Sequence, residues 1–190
     1  MMIGYNNGAD DTSKRIPTNS IGAEIGVWRG ETSLKFLKRN IKHLYLVDPW
    51  SLSPWFDALT PAEQKETIAK YSRVVSGNTR EEFQKYYDSV YESVVRKCSG
   101  DNVTILRMSS ADFFKQLDQK LDWIYIDGDH SYEGTLFDLE SSIEVVRPGG
   151  IIFGDDYGNK KEVKQAVDDF IQKHSLSLKV FAKNQFEINL

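Results

Sequence analysis

The sequence predicts an α/β fold: a doubly wound, mostly parallel sheet of seven strands with helices on both faces. Three observations carry this. Short apolar runs of strand length recur along the chain, longer stretches of helical character separate most of them, and the last two runs have no helix between them. Strands alternating with helices of about 10–15 residues indicate βαβ units, whose parallel sheet is covered on both faces. The closing pair predicts an antiparallel hairpin at one side of the sheet.

Taken in order, residues 1–20 are polar and glycine-containing and read as a flexible N-terminal arm. A single domain follows over 21–190, within the usual size of one hydrophobic core. Its expected strands are GAEIGV (22–27), HLYLVD (43–48), NVTILRM (102–108), LDWIYID (121–127), GIIFGD (150–155), LSLKVFA (176–182) and NQFEINL (184–190), the last two separated only by Lys183. Helices are expected over 31–40, 111–120, 132–146 and 160–174. The segment 49–101 interrupts this rhythm. It is too long for a structureless loop in a compact domain, so it reads as an insertion of two helices. Tyr71, Phe83, Tyr86, Tyr87, Tyr91, Val94 and Val95 recur in it at helical spacing, as a stripe that faces a core or caps a substrate.

Composition narrows the function. A net charge of -4 with no long run of either sign gives no footprint for nucleic acid and no polybasic membrane patch. Cys98 is the lone cysteine, so no intrachain disulfide and no cysteine metal cage can form. No apolar run approaches the roughly 20 residues that cross a bilayer. The expectation is a soluble, cytoplasmic protein acting on small molecules, with a homodimer allowed.

In a parallel sheet of this kind ligands bind beyond the carboxyl ends of the strands. The first strand runs into Gly26-Val27-Trp28-Arg29-Gly30, where glycines let the backbone approach a ligand and Thr32 or Ser33 could cap the next helix. The second strand ends at Asp48, near the spacing at which an acid meets a ribose hydroxyl pair. Together these indicate a nucleoside; the plainer alternative is a tight turn and a cap. Neither G-x-G-x-x-G nor a phosphate-loop lysine is present, so the site suits a nucleoside without a pyrophosphate, and S-adenosylmethionine is the obvious one.

At the ends of the fourth and fifth strands stand Asp127, Asp129, Asp155 and Asp156. Four carboxylates this close repel one another unless protons or a cation intervene. With no cysteine and little histidine nearby, a hard divalent metal such as magnesium, calcium or manganese suits them better than zinc. Ordinary turn formation is the alternative, above all for Asp129.

E-I-G-V-W-R-G followed by L-V-D resembles the first two motifs of class I S-adenosylmethionine-dependent methyltransferases, over roughly residues 20–190. The resemblance implies their Rossmann-like sheet, with Glu24 and Gly26 beside the methionine, Asp48 on the ribose and Trp50 flanking the adenine. Ser110 and Ala111 of SSADFF would be adenine-side contacts, with Trp28 and Gly30 also lining the pocket. I-D-G-D-H-S-Y-E-G and P-G-G-I-I-F-G-D-D-Y look like the metal-dependent macrocin- and catechol-type O-methyltransferases. Their pattern puts Mg2+ on Asp127, Asp155 and Asp156, Asp127 also bordering the cofactor. It puts His130 where catechol-type enzymes carry a lysine base, so His130 or Asp127 would take the proton. Tyr132, Tyr157 and the insertion are the expected substrate wall, while His43 and His174 are expected to be structural. A nucleotide-sugar transferase using Asp127-Gly128-Asp129 leaves Gly26 to Gly30 and Asp48 unexplained. A phosphatase wants a longer interval than that between Asp127 and Asp155. A non-catalytic cofactor-binding domain would not need the acids, and an NAD-dependent oxidoreductase lacks its third glycine.

Overall fold

The structure is a computed structural model and describes residues 7–53 and 56–190. Residues 1–6 of the expected arm and 54–55 of the insertion lie outside the described residues. The order is α1 (Asn7–Arg15), β1 (Ile21–Ile25), α2 (Glu31–Phe36), β2 (His43–Asp48), α3 (Pro61–Val75), α4 (Arg80–Cys98), β3 (Val103–Arg107), α5 (Ser110–Gln116), β4 (Leu121–Ile126), α6 (Tyr132–Val145), β5 (Val146–Gly154), α7 (Lys161–His174), β6 (Leu178–Phe181) and β7 (Gln185–Asn189). The strands form one sheet in the order β3-β2-β1-β4-β5-β7-β6. β1 to β5 are parallel, while β7 runs antiparallel between β5 and β6. Ile25 lies opposite Val47 and Ile126, and Ile126 opposite Gly154, so the central strands end level with one another. That alignment gathers their outgoing loops at one edge.

Alternation along β4 shows how both faces are filled. Ile124 and Ile126 join Ala23, Ile25, Leu139 and Phe170 beneath α5, α6 and α7. Trp123 and Tyr125 point the other way, into a core with Phe36, Leu44, Leu46, Val90 and Val94. The insertion does contain two helices. Both begin with a capping box, Thr60 with Glu63 and Thr79 with Glu82. Tyr86, Tyr87 and Tyr91 of α4 pack on the sheet core, whereas Phe83 closes a small cluster with Leu52 and Phe56. α3 buries none of its residues, and Tyr71 is exposed.

Three expectations are corrected. The arm is not loose over residues 7–15: α1 docks on β7, with Ala9 and Thr12 fully buried. Polar side chains do this docking, which is why an apolar pattern did not announce it. The Thr12 hydroxyl donates to Gln185 Oε1 at 2.7 Å, Tyr125 donates to the same oxygen at 3.2 Å, and Arg15 pairs with Glu187 at 3.0 Å. Thr12→Val should leave that node short of a donor and cost about 1–2 kcal/mol in urea unfolding; an unchanged midpoint would mean α1 is only resting there. Second, α2 stops at Phe36 rather than residue 40, because Lys38 and Arg39 bond three residues back in a tighter turn and the Asn40 carbonyl accepts from Asn19. Third, Ala182 and Lys183 take positive φ and the final hairpin turns through three residues, 182–184, rather than one. No described helix is long and apolar enough to cross a membrane.

Candidate active site

The β1–α2 turn is shaped by the protein's own backbone. Gly26 has φ +85°, and a Cβ there would stand 2.0 Å from the Asp127 carbonyl oxygen. The close approach that demands glycine is therefore to the β4 loop. Gly26→Ala has no side chain to push aside, and should lose about 3 kcal/mol or more, a fall in melting temperature of about 6–12 °C; a smaller loss would mean the two loops can separate. Gly30, at φ +73°, is itself the N-cap of α2. Thr32 and Ser33 do not cap: Ser33 donates instead to Glu24 Oε2 at 2.6 Å. Glu24 is buried, its Oε1 has no hydrogen-bond partner, and burial pushes its carboxyl well up.

Asp48 ties this turn to β2. Its Oδ2 accepts from the N–H groups of Val27 (3.0 Å) and Trp28 (2.9 Å), and its Oδ1 from that of Trp50 (2.7 Å). Burial raises its pKa, against the pull of those N–H groups. Trp50 corrects an expectation. It is fully buried against Tyr91, with ring centroids 5.0 Å apart, so its indole has no face free for an adenine. Trp28 is the exposed one, at 48%, with the Arg29 guanidinium 4.5 Å over its ring and Arg29 in turn donating to Tyr86 Oη at 2.8 Å. Both tryptophans hold positive φ, 45° and 39°, a conformation that costs a bulky residue on the order of 1–3 kcal/mol.

Beside that turn, the ends of β4 and β5 bring carboxylates together as the sequence indicates, and His130 with them. Donor atoms of Asp127, His130 and Asp156 lie within 4.8 Å of one another. His130 Nε2 is 3.4 Å from Asp127 Oδ1 and 3.1 Å from Asp156 Oδ2. These are ion-pair distances, with one imidazole shared between two carboxylates. Asp155 is not in that group: its Oδ1 accepts the Asp156 N–H at 2.7 Å, and Asp156 reaches the cluster through a left-handed backbone, φ 64°. Asp155 instead helps line a cavity of about 10 Å³, water-sized, with Asp127 and His130. Burial raises Asp127 to about 6, with Asp155 and Asp156 adding to the rise and His130 opposing it. The adjoining Asp127 in turn favours the imidazolium of His130 and raises its pKa. Asp129 spends both oxygens on the N–H and hydroxyl of Ser131, at 2.9 Å each, so Asp127-Gly128-Asp129 is no paired chelate.

The remaining expected residues fall as follows. Ser110 and Ala111 open α5, behind the Ser109 cap. The Tyr132 and Tyr157 hydroxyls are committed to Asp169 and Asp168 of α7, and Lys164 braces Tyr157. His43 and His174 bond Thr104 and Glu140, structural as expected. Sequence reasoning missed Asp138. It lies buried on α6 beside Ser110 and under Gly128, with Oδ1 unpartnered and burial raising its carboxyl to about 7. A lone Asp in the apolar stretch TLFDLESSI was the available signal.

Comparison with known proteins agrees with this geometry. The family described as methyltransferase domain matches residues 23–157, from the middle of β1 to the acids after β5. No curated protein sequence matches at a significant level. Among solved structures, the O-methyltransferase NovP is 19% identical with a TM-score of 0.58, covering 100% of this chain and 81% of that one. Precorrin-6y C5,15-methyltransferase from Geobacter metallireducens is 11% identical with a TM-score of 0.62 (96% and 85% covered). An SAH-bound methyltransferase from Podospora anserina is 14% identical with a TM-score of 0.59 (96% and 76% covered). The chain belongs to the methyltransferase-domain family and is a class I S-adenosylmethionine-dependent methyltransferase.

Proposed function

We propose that the protein transfers the methyl group of S-adenosylmethionine to a hydroxyl of a small molecule, assisted by a divalent cation, in the cytoplasm. The observation that carries this reading is the convergence of Asp127, His130 and Asp156 at the ends of β4 and β5, beside the β1–α2 turn. The carboxylates of Asp127 and Asp156 are hard oxygen donors that fit a hard divalent ion, and they leave the His130 imidazole beside them to act as the base. When bound there, the ion would supply Lewis acidity and a template for two neighbouring acceptor oxygens. The unpartnered Oε1 of Glu24, below the turn, fits a ligand that brings a donor, as the ammonium of the cofactor's methionine does.

The chain's own part is positioning and proton transfer. The β1–α2 turn and the start of α5 would hold the cofactor, and Asp127 and Asp156 would orient the acceptor. The acceptor oxygen forms a bond to the methyl carbon as the carbon–sulfur bond breaks, and its electron pair stays on sulfur, leaving S-adenosylhomocysteine. His130 Nε2 accepts the hydroxyl proton. Most of the rate comes from holding two reactants in line.

The test incubates the protein with S-adenosylmethionine and a panel of adjacent-oxygen acceptors, catechols and sugars, with Mg2+ or with EDTA, and reads methylated product by mass spectrometry. Product that appears with Mg2+ and vanishes with EDTA is expected. Equal product in EDTA would overturn the cation's role.

A further inference from the structure

We propose that Trp50 is a positioning residue: its buried indole N–H sets the backbone of the β1–α2 turn, and with it the exposed ring of Trp28, for the cofactor. This rests on the reading that S-adenosylmethionine lies against that turn. The argument begins from two strained residues. Two tryptophans, each the last side chain expected at positive φ, take that conformation at the ends of adjacent strands. Such outliers persist only where their surroundings over-determine them.

Here the surroundings are each other. Trp50 Nε1 donates to the Trp28 carbonyl at 2.8 Å. Asp48 accepts from the N–H of both tryptophans and of Val27. Gly30 N–H bonds the Val27 carbonyl at 2.9 Å, which closes the turn on itself. Both polar backbone groups of Trp28 are thus held from the end of β2, none of them by α2.

The loop carrying Trp50 is fixed in turn from α4 and β3. Gln84 Nε2 and Arg107 Nη2 donate to the Trp50 carbonyl at 3.2 and 2.8 Å, and Arg107 also pairs with Asp88. Tyr91 packs on the Trp50 ring. The outcome is an exposed Trp28 ring on a fixed stem, with the Arg29 guanidinium over one face. Packing alone needs no indole nitrogen; the N–H of Trp50 is what reaches the turn.

The experiment uses Trp50→Phe, which keeps a buried aromatic ring but removes the donor together with part of the ring volume, with Trp50→His as the donor-bearing variant of similar size and Trp28→Phe as the spectroscopic reference. S-adenosylhomocysteine is titrated into each protein by calorimetry while tryptophan emission is followed, and melting is recorded without ligand. In the wild type, binding is expected to change emission by an amount that Trp28→Phe removes. In Trp50→Phe, affinity is expected to fall about tenfold or more and the Trp28 part of the emission change to shrink. Trp50→His, which restores a ring N–H, should recover part of both. Wild-type affinity and an intact Trp28 signal in Trp50→Phe would overturn the inference. Emission unchanged by bound ligand in the wild type would instead overturn the reading that the cofactor meets this turn. Should Trp50→Phe melt far below the wild type, the comparison of Trp50→His with it decides between packing and positioning.

Discussion

Asp127→Asn is expected to weaken Mn2+ binding by about two orders of magnitude or abolish it, while the variant melts within a few degrees of the wild type in EDTA. Loss of a group that merely orients a ligand costs about 10–100-fold in metal affinity, so losing a ligand itself should cost at least the upper end. The second half of the expectation separates a cation site from a structural ion pair. Without a cation, Asp127 shares its surroundings with Asp155 and Asp156, and both raise its pKa. Neutralising one of three neighbouring carboxylates relieves repulsion even as it weakens the hold on His130. An isosteric amide also keeps the packing near Gly26. Electron paramagnetic resonance of free Mn2+ during titration reads the affinity directly. Unchanged affinity in Asp127→Asn would move the cation elsewhere or remove it.

The second large effect belongs to Asp138. Its carboxyl is raised from 3.8 to about 7, first by burial and then by Asp129, with Ser110 opposing. The sign follows from linkage. Below about pH 4 the group is protonated in both folded and unfolded chains and costs nothing. Between about pH 4 and 7 the unfolded chain ionises and the folded one resists, so stability falls; above 7 the full penalty stands. The rise from 3.8 to about 7 corresponds to about 2–4 kcal/mol. Asp138→Asn has no such titration. Its unfolding free energy relative to the wild type should therefore improve by that amount between pH 4.5 and 8 in urea titrations. Glu24 shifts in the same direction but is present in both proteins, so it cancels in the difference. Parallel stability curves would show that Asp138 ionises freely.

A buried, half-satisfied acid beneath the start of α5 is an odd thing to keep for stability alone. Its neighbours explain the position: Ser110 opens α5, and Gly128 follows Asp127. Asp138 thus links the two loops between which the reactants would meet.

The sheet was legible because its signal is periodic. β2 begins and ends where HLYLVD does, and the alternation of Trp123 and Tyr125 with Ile124 and Ile126 records two covered faces. The insertion's helices could have been bounded more closely, since T-P-A-E and T-R-E-E each spell a capping box. α1 was not legible, because Thr12, Arg15 and Gln185 dock it by hydrogen bonds and charge, which leave no apolar stripe.

At the site the sequence located the loops better than the side chains in them. Gly26, Gly30, Asp48 and the acids after β4 and β5 all come to one edge. Which way a residue points depends on φ, and the left-handed turns at Trp28, Trp50 and Asp156 are invisible in a linear pattern. They bury Trp50, expose Trp28, and bring Asp156 together with His130 and Asp127. Asp138 escaped for a related reason: one acid among the four of α6 reads as solvent-facing like the others until the packing is known.

The measurement that tests the central claim most directly is a calorimetric titration of S-adenosylhomocysteine into the intact protein, repeated on Asp48→Ala. One-site saturable binding is predicted for the wild type. Asp48→Ala is predicted to lose it, because the Val27, Trp28 and Trp50 N–H groups would have no common acceptor and the turn would open. No heat of binding to the wild type would contradict the assignment of this turn to the cofactor.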